Sequence, residues 1–299
     1  MKWRSFARAC DAFLASLEHG REPETIRSAR VRLDMWKPHL SDNPREITPE
    51  AVLKASETMR ASLAPSTVKR AHRTLSRLLE WMRHPQTSEI DSIRIRSPLP
   101  PIRTFNDWEM KTVLDWAFTR HDARWKNRMG SFILVLATTG MRPAEACALP
   151  LSSLDQETHT FHLMKTKTGR SRFAPTLPVV TRHLIEYHRD LNESFDPLDS
   201  PWIFPALQAP MNHISASAMR TKMARVSQEV GFHVNAKTFR STLVRRVIEA
   251  GGSYEDAASV VGHSDIGVTQ RHYHRISLSD ATTAAHQRAI SSLFSGGIE

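Results

Sequence analysis

The chain has 299 residues, with 41 Lys and Arg against 31 Asp and Glu and a formal net charge of +10. That length is enough for one large domain or two modest ones with a real core. Cys10 and Cys147 are too few and too separated for a disulfide framework or a zinc knuckle, and no apolar run reaches the roughly 18 residues of a membrane span.

Met1 to Ser5 runs into a charged helix rather than an apolar leader, so the expectation is a soluble protein of the reducing cytoplasm. Charge is uneven. Residues 1–104 hold 19 Lys and Arg against 12 Asp and Glu, while residues 105–299 hold 22 against 19. A basic first third suits a polyanion, because cations that neutralise phosphates release condensed counterions. Charge kept only for solubility is the plain alternative.

Trp3, Phe6, Cys10, Phe13, Leu14 and Leu17 recur at helical spacing, with Gly20 expected as the cap. A second helix starts near Pro23 and turns Ile26, Leu33 and Trp36 inward. Thr48-Pro49 opens a third through Val52, Met59 and Leu63, because Thr caps free amides and Pro at the first position loses no bond. Pro65-Ser66-Thr67 opens a fourth, buried along Val68, Leu75, Leu78, Leu79 and Met82. Its other face carries Lys69, Arg70, Arg73 and Arg77, and residues three and four apart share a side, so these form a cationic ridge. Arg27 and Arg30 on the second helix extend the expected DNA-binding surface.

Periodicity fades from His84 to Arg103 while Pro85, Pro98, Pro100 and Pro101 accumulate, which reads as a linker. Thr104 with Asp107 reads as the next helix start. The apolar run Phe132 to Ala137 suits a buried helix stopped at Gly140. Arg142-Pro143 opens another, with Glu145 in its first turn orienting Arg142 or packing its helix. Thr160 to Lys165 and Ser171 to Leu177 form an expected hairpin around residues 166–170. Helices follow over 180–191, 216–230, 238–250 and 253–261. The fold class is mainly α with a small antiparallel β-sheet.

A phosphodiester resists attack because the nucleophile meets negative charge and the departing sugar oxygen leaves poorly. The protein must supply positive charge, a placed nucleophile and a proton. Arg142 and Arg240 are the candidates for gripping nonbridging oxygens, since a guanidinium keeps its charge and holds two oxygens at once. Tyr273 is the candidate nucleophile; its phenol, with an ordinary pKa of about 10, needs cations around it to attack at neutral pH. Tyr187 and Tyr254 sit on ordinary amphipathic helix. His263, after Gly262, is placed to donate to the phosphate or manage the phenolic proton. His272 and His274 alternate as metal ligands can, but no nearby carboxylate or cysteine completes a site, so neither metal nor cofactor is expected.

In order and spacing, Arg142 with Glu145, Lys237-Thr238-Phe239-Arg240, Gly262-His263-Ser264 and Tyr273 resemble the tyrosine recombinases, or phage-type integrases, over most of the chain. The resemblance implies a simple Xer-like arrangement. It has a helical core-binding domain of SAM-like type over residues 1–90, a linker over 91–103, and a mixed α+β catalytic domain over 104–299 ending in a C-terminal helix. No separate arm-binding domain is expected, since the first helix begins almost at Met1. It implies site-specific recombination of double-stranded DNA through a covalent 3′-phosphotyrosine, needing neither ATP nor metal, in a cytoplasmic, nucleoid-associated protein.

Lys167 matches the family's lysine that protonates the departing 5′ oxygen, with Lys165 and Arg170 close enough to share or take that role or to contact DNA. Lys237 stands where the family has histidine. Tyr273 lies one residue further from His263 than the family's tyrosine, a position filled here by His272. Four protomers on two duplexes are implied, with the segment from Leu278 to Phe294 either docking on a neighbour or folding back on its own domain. A recombinase fold that binds DNA without cutting, as a regulator or architectural factor, is the competing reading, and a type IB topoisomerase shares the chemistry.

Overall fold

The computed structural model describes residues 3–98, 102–119, 124–164, 171–194, 200–206 and 208–262. The chain divides into two compact units, Met1–Pro101 and Ile102–Glu299.

The first unit is helical: α1 (Phe6–Ser16), α2 (Pro23–Asp34), α3 (Pro49–Arg60), α4 (Pro65–Trp81) and α5 (Thr87–Ser92), with a 3₁₀ turn at Pro44–Glu46. Local chemistry sets the starts. The Ser5 hydroxyl accepts the Arg8 N–H at 3.2 Å, and the Thr48 hydroxyl accepts the Ala51 N–H at 3.2 Å. Proline opens α2, α3 and α4, where a missing N–H costs nothing. α4 packs on the other four helices through Val68, Leu75, Leu78 and Leu79, all fully buried, and Trp36 closes the core just beyond α2.

Two expectations need correction. α1 ends at Ser16 with Leu17 as its C-cap, and the exposed Gly20 lies in the turn that follows, three residues past the cap. The segment from His84 to Arg103, read as an extended linker, holds α5, and Ile90 and Ile95 are buried in the first unit's core. Prolines flank this short helix without entering it.

The second unit comprises α6 (Asp107–Phe118), α7 (Arg124–Thr139), α8 (Pro143–Cys147), β1 (Leu154–Asp155), β2 (Thr160–Leu163), β3 (Arg172–Pro175), α9 (Pro178–Ser194), β4 (Pro205–Ala206), β5 (Ala209–His213), α10 (Ala216–Val230), α11 (Ala236–Glu249) and α12 (Tyr254–Val261), with a 3₁₀ turn at Leu151–Ser153. A helical stretch apolar all round belongs in the interior, and the second half of α7 is one: Phe132 to Leu136 are fully buried, and α6, α8, α9, α10 and α11 pack on the helix.

β1, β2 and β3 form an antiparallel sheet in that order, pairing Phe161 with Ala174 and Leu163 with Arg172. Period-two alternation puts Phe161, Leu163 and Ala174 inside, and leaves His162 and Phe173 edge to face outside at 4.6 Å. β4 and β5 make a second, two-stranded antiparallel sheet. The start of α6 also differs from expectation. Its cap is Asn106, which accepts the Glu109 N–H at 2.8 Å while Glu109 accepts the Asn106 N–H at 3.1 Å. Thr104 instead accepts from the Arg245 guanidinium at 3.1 Å. Among the described residues, no helix is long and apolar enough to cross a membrane.

α7 stops at Gly140, whose φ of +58° lies in the left-handed region and whose N–H reaches the Leu136 carbonyl at 3.0 Å. A Cβ there would meet Val261 Cγ1 at 2.8 Å and Leu243 Cδ2 at 3.0 Å. The turn is thus pressed against α11 and α12, and only glycine satisfies both its backbone and its neighbours. Gly140→Ala is expected to destabilise the protein by at least about 1–2 kcal/mol, the left-handed penalty alone, seen as a lower urea midpoint with an unchanged slope.

Candidate active site

Two arginines far apart in sequence are anchored on this one turn. Arg240, the fifth residue of α11, donates from Nη1 to the Gly140 carbonyl at 2.7 Å. Arg142, two residues beyond Gly140, is the N-cap of α8. Its Nη2 donates to the Gly262 carbonyl at 3.2 Å, just past the end of α12, where Gly262 has a φ of +69°. Each guanidinium is therefore held by a backbone carbonyl at a helix C-terminus, where the partial negative charge favours a cation.

Glu145 completes the arrangement. Its Oε1 accepts Arg142 Nη1 at 2.7 Å, and its Oε2 accepts both the Arg142 backbone N–H at 2.9 Å and Arg172 Nη2 at 3.2 Å. Its side chain is 8% exposed. Burial works to raise this carboxyl, but the Arg142 N–H, the Arg142 guanidinium and Arg172 outweigh it and hold the group below the usual carboxylate range. Glu145 orients Arg142, as its place in the first turn of α8 suggested.

Arg172 was not foreseen. It opens β3, points inward opposite Leu163, and donates from Nη1 to the Val260 carbonyl at 2.8 Å. Burial lowers its pKa from the ordinary arginine value, and Glu145 works against that shift. The available signal was the alternation of β2 and β3, which turns a charge toward the interior at this position.

Lys237 is exposed in the first turn of α11. It shares a cleft of about 350 Å³ with Pro143, Arg220, His233 and Asn235, floored by Phe132, Met219 and Met223. No carboxylate lines this cleft among the described residues, so its field is that of cations and helix amino termini. Arg220 is a second cation that sequence reading missed. Lys167, with Lys165 and Arg170, lies outside the described residues, as do His263, His272, Tyr273, His274 and the segment from Leu278 to Phe294. Tyr187 is buried and accepts from Arg128 Nε at 3.3 Å, a core role. No group of three or more His, Cys, Asp or Glu is arranged to hold a metal ion among the described residues.

In the first unit, Arg27 and Arg70 line one groove between α2 and α4, while Arg73 and Arg77 line another between α4 and α5. Arg27 pairs with Glu24 at 3.0 Å and Arg30 with Asp11 at 3.1 Å, which turns Arg30 toward α1 and out of the groove. Lys69, Arg70, Arg73 and Arg77 share one face of α4 and make no ion pair among the described residues.

The profile of the Phage integrase family matches residues 108–278. The chain is 26% identical over 270 residues to the integrase/recombinase y4rF of Sinorhizobium fredii, covering 84% of this chain and 62% of that one. It is 28% identical over 156 residues to the tyrosine recombinase XerD of Rhizobium meliloti, covering 51% and 49%. It thus spans less than two thirds of the length of either relative. The fold matches that of a lambda integrase tetramer bound to a Holliday junction, with a TM-score of 0.69 at 14% identity over 90% of this chain and 77% of that one.

Removing the Glu145 charge would leave two largely buried guanidinium groups facing each other. Glu145→Gln is expected to cost about 3 kcal/mol near neutral pH. Because the folded-state pKa is depressed, this stabilisation is present above the unfolded value and is lost as pH falls through the folded value. The difference between wild type and variant in urea unfolding should therefore shrink below about pH 4.

Proposed function

The chain belongs to the phage integrase family, and on that premise we propose that it is a site-specific DNA recombinase, breaking and rejoining double-stranded DNA through a covalent 3′-phosphotyrosine. The observation that carries this reading is the anchoring of Arg142 and Arg240 on the single turn at Gly140 to Arg142, with each guanidinium fixed by a helix-end carbonyl. Such a pair supplies fixed positive charge to the two nonbridging oxygens, and this charge counts most in the transition state, where negative charge accumulates.

In the proposed step, the Tyr273 oxygen attacks phosphorus, the bond from phosphorus to the 5′ oxygen breaks, and a 3′-phosphotyrosyl ester forms. The phenolic proton passes to His263 or the solvent near Lys237. Lys167 gives a proton to the departing 5′ oxygen. Attack by a 5′ hydroxyl from the partner strand reverses the sequence, so the ester conserves the bond energy and no ATP is consumed. Arg142, Arg240 and Lys237 bind phosphate.

Residues of the first unit serve as the core-binding domain, with Arg27, Lys69, Arg70, Arg73 and Arg77 on the DNA backbone, and Arg170 adds a further contact. The protein acts in the cytoplasm, on the nucleoid, as a homotetramer on DNA. An apolar groove of about 340 Å³ lined by Met110, Leu114, Phe118, Leu134, Val180 and Leu243 suits the apolar side of a neighbour's segment from Leu278 to Phe294. Lys237 and the added residue before Tyr273 favour the second reading, a fold kept for binding alone.

A duplex nicked beside the cleavage point traps the covalent complex by letting the freed end escape. Wild type should become attached to this DNA and Tyr273→Phe should not; binding without attachment by wild type would sink the enzyme reading. Arg73→Ala and Arg77→Ala should each weaken binding and reduce the slope of log affinity against log salt by about 1. An unchanged slope in filter-binding titrations would remove α4 from the DNA interface.

A further inference from the structure

We propose that Arg172 is a positioning residue for the phosphate-gripping arginine, acting through Glu145 and the turn at Gly262; this rests on the recombinase reading above. Its guanidinium spans two elements that also hold Arg142. Nη2 meets Glu145 Oε2 at 3.2 Å, on the same carboxylate that fixes Arg142 Nη1. Nη1 meets the Val260 carbonyl at 2.8 Å, two residues before the Gly262 carbonyl that fixes Arg142 Nη2. The two anchors of Arg142 are therefore tied to each other by a single rigid fork.

The packing is equally specific. A Cβ on Gly262 would lie 2.6 Å from Arg172 Nε and 2.7 Å from its Cδ, so the side chain fills the space that glycine leaves. Nε itself is buried and has no hydrogen-bond partner among the described residues, so the contact there is one of shape. Arg172 is 11% exposed and stands behind Glu145, too enclosed to grip a phosphate in the manner of Arg142, which is 29% exposed. With Arg172 shortened or bent away, Glu145 Oε2 keeps the Arg142 N–H, but only the Arg142 fork itself then spans the carboxylate and the end of α12. The Arg142 fork then loses its defined plane.

Lysine retains the charge and cannot reach Glu145 and Val260 together. Arg172→Lys is therefore expected to slow single-turnover cleavage by about 10- to 100-fold while DNA affinity stays unchanged. A linkage with one nonbridging oxygen replaced by methyl is neutral and asks less of Arg142. On this methylphosphonate DNA, the deficit of Arg172→Lys should contract to a few-fold, as should that of Arg142→Ala. A merely structural role predicts equal deficits on both substrates, and that result would overturn the proposal, as would an unslowed rate. Urea unfolding of Arg142→Ala, Arg172→Lys and the double variant supplies a readout without DNA: coupling is expected, and additive effects would overturn the proposal even if cleavage behaved. Failure of wild type to become attached to the phosphodiester would count against the recombinase reading instead, leaving the unfolding cycle to decide the role of Arg172.

Discussion

The bond between Glu145 and Arg142 is the constraint on which the arginine geometry of the second unit depends. A guanidinium that must meet a phosphate has to be held by some of its donors while others stay available. Glu145 does this from within the first turn of α8, with its Oε1 on the Arg142 side chain and its Oε2 on the Arg142 backbone. The carboxylate is buried, and the Arg142 N–H, the Arg142 guanidinium and Arg172 together offset its desolvation. Two guanidinium groups against one carboxylate leave a net positive charge at this point, on the more exposed partner, Arg142.

Backbone carbonyls also anchor both arginines, and a carbonyl differs electrostatically from a carboxylate. A carboxylate behind every arginine would cancel the field that an incoming phosphate must feel. The carbonyls of Gly140 and Gly262 instead offer fixed dipoles at the ends of α7 and α12, orienting Arg240 and Arg142 without removing their charge. Both glycines adopt left-handed conformations. This caps the helix and aims a free carbonyl away from its axis in the same step.

Much of this was legible in the sequence because it is local. Thr48-Pro49, the apolar stripe of α4, the apolar run from Phe132 to Ala137 in α7, Gly140 and the spacing of Arg142 and Glu145 each follow from helix chemistry within a few residues. What escaped was decided over long range. Thr104 and Asn106 each stand three residues before a carboxylate, and the contact of Thr104 with Arg245 settles which one caps α6. The proline-rich stretch after His84 reads as an extended linker until Ile90 and Ile95 find the first unit's core. Arg172 reads as an ordinary hairpin charge, since nothing in its neighbourhood reveals Val260 or Glu145 as partners.

The two units also hold their cations differently, and that difference divides the work. Arg70, Arg73 and Arg77 are exposed and make no ion pair among the described residues, so their attraction to a polyanion is long in range and weakened by salt. Arg142 and Arg172 are more enclosed and committed to fixed partners, so salt screens them little and their geometry costs no reorganisation when a phosphate arrives. Exposed cations give affinity that is indifferent to the exact placement of the duplex, while enclosed ones act only on a phosphate already in position. On the proposed recombinase reading, the separation would let a protein of modest charge hold DNA firmly enough to bring one linkage to the Gly140–Arg142 turn, and the strength of holding could vary without disturbing the geometry of the break.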